Sequence, residues 1–256
     1  MIFKSNSNKW LILFAGKNRE KVISNLIENN IEVIGIGFPS KRKDIGKILQ
    51  NMFNGNSIPI IELNKKDILS KLSAFSKCNL LSIGFPYKLP NELIERFEIC
   101  LNLHPTLLPK YGGMNSGAYL IQNNEKQTGS TVHLLTNELD QGPILMQSYI
   151  PLSKFDTTRS MQYKVYAKEP GLVLDSIHAL EKGAEFLPQN KMNGSYYEKR
   201  TPNDSQFDPN HKFIDLYDFI RSCDPIDYPA FFELEGQRVF VKMWTENRQK
   251  ENPYEI

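Results

Sequence analysis

Cysteine is scarce in this sequence, with three residues in 256, and the three lie far apart. Cys78, Cys100 and Cys223 include no closely spaced pair of the kind that binds zinc, so we expect buried, reduced thiols and no metal. A Gly-x-Ser-x-Gly nucleophile motif is also missing, which argues against a serine nucleophile. This cysteine usage is what we expect of a protein of the reducing cytoplasm.

An excess of charge of one sign and long apolar runs are missing too. The 31 Lys and Arg residues nearly balance the 29 Asp and Glu residues, for a net charge of +2, so we expect neither nucleic acid nor a membrane as the main partner. The apolar run near the N-terminus, WLILFA, is far shorter than the roughly 20 residues that span a bilayer. We interpret it as a first strand after a polar leader and expect no signal peptide.

The first 105 residues alternate between apolar runs and segments with helical spacing. The runs predict strands at 9–16, 31–39, 57–63, 79–86 and 99–105. The segments between them predict helices at 19–30, 43–53, 66–75 and 91–97. Such alternation predicts an α/β fold with a Rossmann-like, doubly wound, mostly parallel sheet that helices cover on both faces. In sheets of this kind, function gathers beyond the carboxyl ends of the strands.

The rest of the chain does not continue this regular alternation. Strands are predicted at 128–136 and 144–152, followed by one long helix at 157–183 that contains Pro170. Beyond it, LYDFIRS predicts a helix and AFFELEGQRVFVKMW predicts a β-hairpin. We therefore expect a catalytic domain at 1–185 and a small C-terminal region at 186–256, whose apolar hairpin would suit a dimer interface.

The stretch LNLHPTLLPKYGG, residues 101–113, contains the first candidate catalytic residues. Asn102 and His104 are two positions apart, which places both side chains on one face of a strand. An amide and an imidazole side by side suit a developing oxyanion. Pro105 and Pro109 stiffen the segment that follows. Read alone, the asparagine is an ordinary turn former and the histidine an ordinary core or surface residue.

Asp140, in the turn NELDQGPI, is the carboxylate that would complete this group. A carboxylate beside a histidine orients the ring and raises its basicity. Without a serine or cysteine nucleophile motif, Asn102, His104 and Asp140 fit a direct acyl transfer to an amine of the substrate. An aspartate before glycine is also an ordinary turn residue, so the three residues indicate function only when taken together.

Three motifs give the chain a resemblance to the formyltransferases that use N10-formyltetrahydrofolate. The family pattern N-x-H-P-S-L-L-P-x-Y-R-G, T-G-x-T-x-H and D-x-G-x-I is matched in order by NLHPTLLPKYGG, TGSTVH and DQGPI, within a similarity that runs from residue 9 to 185. The resemblance implies the Rossmann-like fold, N10-formyltetrahydrofolate as the formyl donor, no metal, and Asn102, His104 and Asp140 as the catalytic residues. His133, in the second motif, is expected to be structural or to support the catalytic residues rather than to be catalytic itself.

The resemblance also implies that main-chain groups of two loops bind the pteridine ring of the donor. The predicted cofactor-binding residues are Ile83, Gly84, Phe85, Pro86, Tyr87, Lys88, Leu89 and Pro90 in the first loop, and Leu139 and Asp140 in the second.

The segment that borders the acceptor site departs from the family pattern. Gly112 stands where the family has arginine, so the acceptor is where we expect this chain to differ. Tyr196 and Tyr197 are expected to offer a stacking surface and Arg200 a cation for phosphate, although YYEKR also reads as an ordinary surface strand. The predicted substrate-binding residues are Lys17, Asn18, Arg19, Lys110, Tyr111, Gly112, Gly113, Met114, Asn115, Tyr196, Tyr197 and Arg200.

In the tail, the segments YYEKRTPNDSQFD and LYDFIRSCDPIDYPAFFELEGQRVFV resemble those of the sugar N-formyltransferases. This resemblance favours an enzyme that acts on a nucleotide-linked amino sugar. We expect dTDP-4-amino-4,6-dideoxyglucose as the acceptor, a product used in a bacterial surface polysaccharide such as O-antigen, and a homodimer. A methionyl-tRNA formyltransferase is the main alternative, but it would add a longer RNA-binding domain, and the last segment of about 70 residues is short and not strongly basic.

Three further alternatives fit less well. An enzyme that formylates glycinamide ribonucleotide would need a glycine-rich phosphate loop, and FAGKNRE has one glycine. A formyltetrahydrofolate hydrolase would place a regulatory domain before the first strand, which is expected near residue 9. An inert binding module would be expected to lose at least one of the three catalytic residues.

Overall fold

Thirteen strands and seven α-helices make up the described chain, residues 2–114 and 116–246 of the computed structural model. The strands are β1 (Ile2–Phe3), β2 (Lys9–Phe14), β3 (Glu32–Pro39), β4 (Ile60–Leu63), β5 (Asn79–Ile83), β6 (Cys100–His104), β7 (Gly112–Gly113), β8 (Gln127–Leu134), β9 (Ile144–Pro151), β10 (Ala184–Glu185), β11 (Tyr196–Tyr197), β12 (Ala230–Leu234) and β13 (Gln237–Val241). The helices are α1 (Lys21–Glu28), α2 (Lys43–Met52), α3 (Ile68–Leu72), α4 (Asn91–Ile94), α5 (Ser116–Gln122), α6 (Thr158–Lys182) and α7 (Phe213–Ser222).

A seven-stranded sheet forms the centre of the fold, with the strand order β4-β3-β2-β5-β6-β8-β9. Neighbouring strands run parallel from β4 to β6, and β8 runs antiparallel to β6. The first strand of this sheet, β2, lies between β3 and β5, so the chain winds outward in both directions. The predicted α/β fold with a doubly wound, mostly parallel sheet is therefore confirmed.

Both faces of strand β2 are buried, as its apolar sequence requires. Trp10, Ile12 and Phe14 join one hydrophobic cluster, and Leu11 and Leu13 join a second one. Alternate residues of a strand face opposite sides, so this division follows from the strand period of two. Burial of one such side chain contributes about 1.5–3 kcal/mol, and five in succession anchor β2 in the middle of the sheet.

Several short elements were not expected from the sequence. Helix α5 was not among the predicted helices, and it buries Ala118, Leu120 and Ile121. Strands β7 and β11 pair in parallel, and β1 and β10 pair antiparallel, with two residues in each strand. Strands of two residues show no sequence period, which is why the pattern did not reveal them. The long helix with Pro170 and the C-terminal hairpin, by contrast, were predicted correctly.

The contacts divide the described residues into two compact units. The described residues of the first unit fall in the segments Met1–His104, Ser130–Ser148 and Lys168–Met192. Those of the second unit fall in the segments Pro105–Gly129, Tyr149–Ala167 and Asn193–Ile256. The domain boundary near residue 185 stays a prediction, since it was drawn from composition alone. The contacts group the chain differently: β11, from the tail, pairs with β7, which follows β6 along the chain, and both belong to the second unit.

Strands β12 and β13, the last two described strands of the second unit, form a hairpin. Glu235 and Gly236 form its two-residue turn, and both have positive φ angles (+51° and +78°), as a hairpin turn of this length requires. Helix α7 precedes the hairpin and packs against α5. Among the residues described, no helix is both long enough and apolar enough to cross a bilayer.

Candidate active site

Strand β6 carries Asn102 and His104 to its carboxyl end. Asn102 pairs with Ser82 on the parallel strand β5 and with His133 on the antiparallel strand β8, where His104 pairs with Thr131. Both side chains lie on one face because the residues are two positions apart. Strands on both sides therefore hold this end of β6 in register.

A hydrogen bond joins Asn102 to His133. Nδ2 of Asn102 lies 3.1 Å from Nε2 of His133, and Nδ1 of His133 lies 2.8 Å from the carbonyl oxygen of Leu134. A carbonyl oxygen can only accept, so Nδ1 carries the proton and Nε2 accepts the amide N–H. The amide of Asn102 is thereby fixed with its nitrogen towards the histidine.

The imidazole of His133 is held in its neutral form. Its pKa is lowered to about 4, mainly because burial disfavours the charged ring and also because His104 is close, while Asp140 and the Leu134 carbonyl oppose the shift. A neutral ring with one donor and one acceptor nitrogen is what the two hydrogen bonds require. Burial therefore favours the neutral ring, and the two hydrogen bonds determine which of its nitrogens carries the proton.

The turn after β8 brings Asp140 to both histidines. Its Oδ1 lies 3.5 Å from Nδ1 of His104 and 3.9 Å from Nε2 of His133. Asp140 has a left-handed backbone (φ +55°), which aspartate tolerates better than most residues. Nε2 of Gln189 donates to the carbonyl oxygens of Asp140 (2.8 Å) and Gly142 (2.7 Å). The carboxylate is thus fixed beside His104.

The three predicted catalytic residues meet in the first unit, although their roles stay predictions. The 3.5 Å between His104 and Asp140 is longer than a good hydrogen bond, and such distances often shorten when substrate binds. His133 was expected to be structural or to support the catalytic residues, and its hydrogen bond with Asn102 is the contact through which it would position that amide. Its place in the motif TGSTVH was the sequence signal for this expectation.

The first predicted cofactor loop leaves β5 with a sharp turn. Gly84 has φ +63°, a conformation that suits glycine, and Phe85 and Tyr87 contact each other edge to face with ring centroids 5.3 Å apart. The loop lies outside helices and strands, so its main-chain groups can bind a ligand. Ile83 and Leu89 are buried, whereas Pro86, Lys88, Pro90 and, in the second loop, Leu139 are exposed.

The loop after β2 contains three of the predicted substrate-binding residues. Lys17 and Asn18 are exposed and could contact a ligand. Arg19 is buried, and its guanidinium binds both carboxylate oxygens of Glu169 at 2.6 and 2.7 Å. This placement corrects the substrate-binding role predicted for Arg19, because a buried, bidentate partner already orients its charge.

In the second unit, the loop after β6 is tied to the tail. Tyr111 has φ +59°, and its backbone N–H donates to Oγ of Ser195 (2.9 Å). Its hydroxyl is bonded to Glu125, and its pKa is raised to about 12, mainly by burial. Gly112 and Gly113 form β7 and are buried. Lys110 and Met114 are exposed, and the predicted residue Asn115 lies outside the described residues.

Tyr197 stacks on two other tyrosine rings. Its ring centroid lies 4.3 Å from that of Tyr119 and 5.4 Å from that of Tyr111. Because the ring already packs against these two neighbours, the structure favours a packing role for Tyr197 over the predicted stacking on a base. Tyr196 is 57% exposed and keeps the predicted role as a surface for a base.

Arg200 is buried in the second unit. Nη2 lies 3.0 Å from the carbonyl oxygen of Asp204 and 3.1 Å from Sγ of Cys223, and the guanidinium lies about 6 Å from the ring centroids of Tyr119 and Phe219. Nε and Nη1 have no hydrogen-bond partner among the described residues, but both atoms are buried. This burial argues against the phosphate contact predicted for Arg200.

The side chains on β6, on β8 and in the Asp140 turn form one site, and its chemistry indicates the class of protein. An amide, two imidazoles and a carboxylate at the carboxyl end of a doubly wound sheet suit acid–base catalysis with stabilisation of an oxyanion. Within the described chain, no group of three or more His, Cys, Asp or Glu side chains could hold a metal ion. The sequence pattern of the formyl transferase family matches residues 10–177, and the chain belongs to that family. The prediction of a formyltransferase is confirmed at this level.

Curated relatives of the chain carry several acceptor specificities. The GDP-perosamine N-formyltransferase of Brucella melitensis is 26% identical over 236 residues, which is 90% of this chain and 91% of that protein. The bifunctional polymyxin resistance protein ArnA of Wigglesworthia glossinidia brevipalpis is 35% identical over 148 residues, but this covers 55% of the chain and 22% of that longer protein. A methionyl-tRNA formyltransferase of Borreliella burgdorferi is 25% identical over 78% of this chain and 67% of its own length.

Solved structures with similar folds include a 4-N formyltransferase from Francisella tularensis. It superposes with a TM-score of 0.77 at 21% identity and covers 93% of this chain and 98% of its own. An N-formyltransferase from Helicobacter canadensis, solved with folinic acid and dTDP-3-aminofucose, has a TM-score of 0.72 at 19% identity and covers 90% and 85%. At these identities the likeness establishes the fold.

Proposed function

We propose that the protein transfers a formyl group from N10-formyltetrahydrofolate to the amine of a nucleotide-linked amino sugar. The convergence of Asn102, His104 and Asp140 in the first unit is the observation that carries this proposal. The relatives support the acceptor class, because a GDP-perosamine N-formyltransferase matches nearly the whole chain and a structural neighbour was solved with a dTDP-linked amino sugar. The same neighbour holds folinic acid, which supports a folate donor.

The residues present fit a folate donor. The exposed turn at Gly84 offers main-chain donors and acceptors, and Phe85 and Tyr87 add an aromatic pair beside them. The donor would supply the formyl carbon, whose oxygen gains negative charge when an amine adds to it. Asn102 donates one N–H to His133, and the second N–H of its amide is suited to that oxyanion.

His104 and Asp140 would move the proton. Asp140 faces Nδ1 of His104, so Nε2 is the ring nitrogen on the side away from the carboxylate. Nε2 would take the proton from the attacking amine and return it to the departing nitrogen, and Asp140 would stabilise the ring while it is charged. The bond that forms is amine nitrogen to formyl carbon, and the bond that breaks joins that carbon to the folate nitrogen.

Within this class we propose dTDP-4-amino-4,6-dideoxyglucose as the acceptor and a surface polysaccharide such as O-antigen as the destination of the product. The exposed ring of Tyr196 would stack on the base. Exposed Lys110, in the same unit as Tyr196, would pair with phosphate oxygens. The substrate and the reduced thiols of Cys78, Cys100 and Cys223 fit a cytoplasmic enzyme.

We also propose that the protein is a homodimer joined through the hairpin of β12 and β13. Leu234, Phe240 and Trp244 are each more than half exposed on or after these strands. Exposed apolar side chains on a two-stranded edge are usually covered by a partner. A second copy of the same hairpin would cover them without requiring another protein.

A methionyl-tRNA formyltransferase is the second candidate, because such an enzyme matches 78% of this chain. The decisive experiment incubates the protein with N10-formyltetrahydrofolate and either charged initiator tRNA or a panel of dTDP-, UDP- and GDP-linked amino sugars. The proposal is supported if tetrahydrofolate is released only in the presence of one or two of these amino sugars. Turnover with the tRNA selects the alternative, and equal turnover without any acceptor indicates a hydrolase.

A further inference from the structure

An ion pair between Arg19 and Glu169 is buried in the first unit, and the proposed reaction does not use it. Nε and Nη2 of Arg19 lie 2.6 and 2.7 Å from the two carboxylate oxygens of Glu169, and the side chains are 4% and 0% exposed. Two parallel hydrogen bonds of this kind hold a guanidinium in one plane and one orientation.

The same guanidinium contacts the strand that carries the catalytic residues. Nη2 of Arg19 donates to the carbonyl oxygen of Leu103 at 3.2 Å. Leu103 lies between Asn102 and His104, and it is the last residue of β6 that pairs with β5. Its carbonyl belongs to the planar peptide that leads into His104, so fixing the carbonyl restricts the backbone dihedral angles on both sides of that peptide.

Glu169 also contacts the neighbouring strand β8. Oγ of Ser130 donates to Oε1 of Glu169 at 2.9 Å, and Ser130 precedes Thr131, which pairs with His104. Helix α6, which carries Glu169, is therefore linked to β6 through Arg19 and to β8 through Ser130. Both strands are held next to the catalytic histidine.

Gly16 leaves room for the arginine side chain, and Gly84 lies beside it. A Cβ on Gly16 would lie 2.8 Å from Cδ of Arg19, which is too close, whereas a Cβ on Gly84 would lie 3.5 Å from its Nη1, an ordinary contact distance. Gly84 also approaches Gly16 closely, since its Cβ would lie 3.4 Å from the Gly16 Cα. Arg19 thus fills the space between the ends of β2 and β5, directly beside the predicted cofactor loop.

Stability alone does not explain this pair. Two charges lose their water when they are buried, and apolar residues of similar volume often give equal or greater stability in the same place. We propose that the Arg19–Glu169 pair is a positioning element of the active site, which fixes the Leu103 peptide and through it the orientation of Asn102 and His104. The inference rests on the proposed formyl transfer and adds two residues that do not touch the substrate.

The test separates positioning from stability by removing both charges together. Arg19→Met or Glu169→Leu alone leaves one buried charge without its partner, and we expect Tm to fall by on the order of 10 °C. Arg19→Met/Glu169→Leu removes both charges, and we expect most of that Tm to return. A positioning role then predicts a loss in kcat of about tenfold to a hundredfold in the double variant, with little change in KM, because small displacements of catalytic groups are costly.

Asn79→Ala is the matched control for destabilisation. Nδ2 of Asn79 donates to Oγ of Ser5 and to the carbonyl oxygen of Ser7, both at 2.8 Å, at the first residue of β5. Its loss should lower Tm and leave kcat unchanged at a temperature where the variant is folded. Ser130→Ala serves as a milder variant of the network itself, with a smaller loss in kcat expected.

A double variant with normal Tm and normal kcat would overturn the inference. If the double variant does not fold, a normal kcat in Ser130→Ala would overturn it. Absence of transfer by the unchanged protein to any acceptor refutes the proposed function instead. A crystal structure of the double variant then decides the positioning role. Retention of the 3.5 Å distance between His104 and Asp140 contradicts that role, and displacement of His104 supports it.

Discussion

The amide nitrogen of Asn102 donates to the unprotonated nitrogen of His133, 3.1 Å away, and this bond sets the direction of the amide. His133 can accept only while it is neutral, because a protonated imidazole carries a hydrogen on each nitrogen. Acid would therefore break the bond and place a positive charge in a buried site. The geometry of the proposed active site thus depends on a histidine that stays neutral.

The first prediction concerns this histidine and pH. The pKa of His133 is about 4 in the folded protein against 6.5 for the free group, so between these values the unfolded chain binds a proton that the native state does not. Above about pH 6.5 the histidine is neutral in both states, and its contribution to the free energy of unfolding is fully present. As pH falls towards 4, the free energy of unfolding decreases by on the order of 3 kcal/mol on account of this residue.

Urea denaturation between pH 7.5 and 4.5 measures this dependence. His133→Gln keeps an acceptor for Asn102 but does not titrate in this range, so it should show a shallower loss of stability on acidification. Identical pH profiles for the two proteins would mean that His133 titrates normally in the native state.

The second prediction concerns Asp140. Asp140→Asn keeps the size of the side chain, and Gln189 bonds the main chain of the turn and not the carboxylate, so the fold should be retained. The negative charge beside His104 is lost, and kcat should fall about a hundredfold or more. Steady-state kinetics with the best acceptor measures the effect. Asp208→Asn, an exposed carboxylate of the second unit, is the control, and equal rates for both variants would remove Asp140 from the mechanism.

The third prediction concerns Gly113. A Cβ at this position would lie 2.1 Å from the carbonyl oxygen of Tyr197, and φ is +92°. Gly113→Ala should therefore separate β7 from β11, lower Tm and raise the KM for the acceptor. Gly55→Ala is the matched control, since φ is +95° and no atom lies within 4 Å of its Cβ. The control should cost about 1–2 kcal/mol of backbone strain and leave kinetics unchanged. Equal losses in the two variants would show that strain alone matters.

The fourth prediction concerns the hairpin. Light scattering after gel filtration should give twice the 29.5 kDa mass of one chain. Leu234→Lys/Phe240→Lys places charge on two exposed apolar positions of β12 and β13 and should yield the monomer. Ile2→Lys changes an even more exposed apolar residue, in the first unit, and should not alter the mass. A monomeric unchanged protein would contradict the proposed dimer.

Local sequence patterns were sufficient to predict those parts of the fold in which apolar residues repeat with the period of a strand or a helix. The apolar run of β2 and the two-residue spacing of Asn102 and His104 predicted the sheet and the shared face, because the strand period is a local property. Strand ends were less well predicted. The strand expected at 79–86 stops at Ile83, where the left-handed Gly84 ends the pairing.

Contacts between distant residues could not be predicted from such patterns. Arg19 meets Glu169 across 150 positions, so nothing near Arg19 showed that its charge was already paired. The ring of Tyr197 stacks on Tyr111 and Tyr119 from two other segments, and YYEKR alone could not reveal it. His133 carried a motif signal, but only its distance to Asn102 gives it a role.

The pairing of β7 with β11 has a consequence for engineering. The loop that follows the catalytic motif rests on the tail, because Ser195 and Tyr197 meet the backbone of Tyr111 and Gly113. A chimera cut near residue 185 would join a loop from one parent to a tail from another. Exchanging acceptor preference between two relatives therefore requires the transplanted blocks to include residues 105–113 and 193–200 from the same parent.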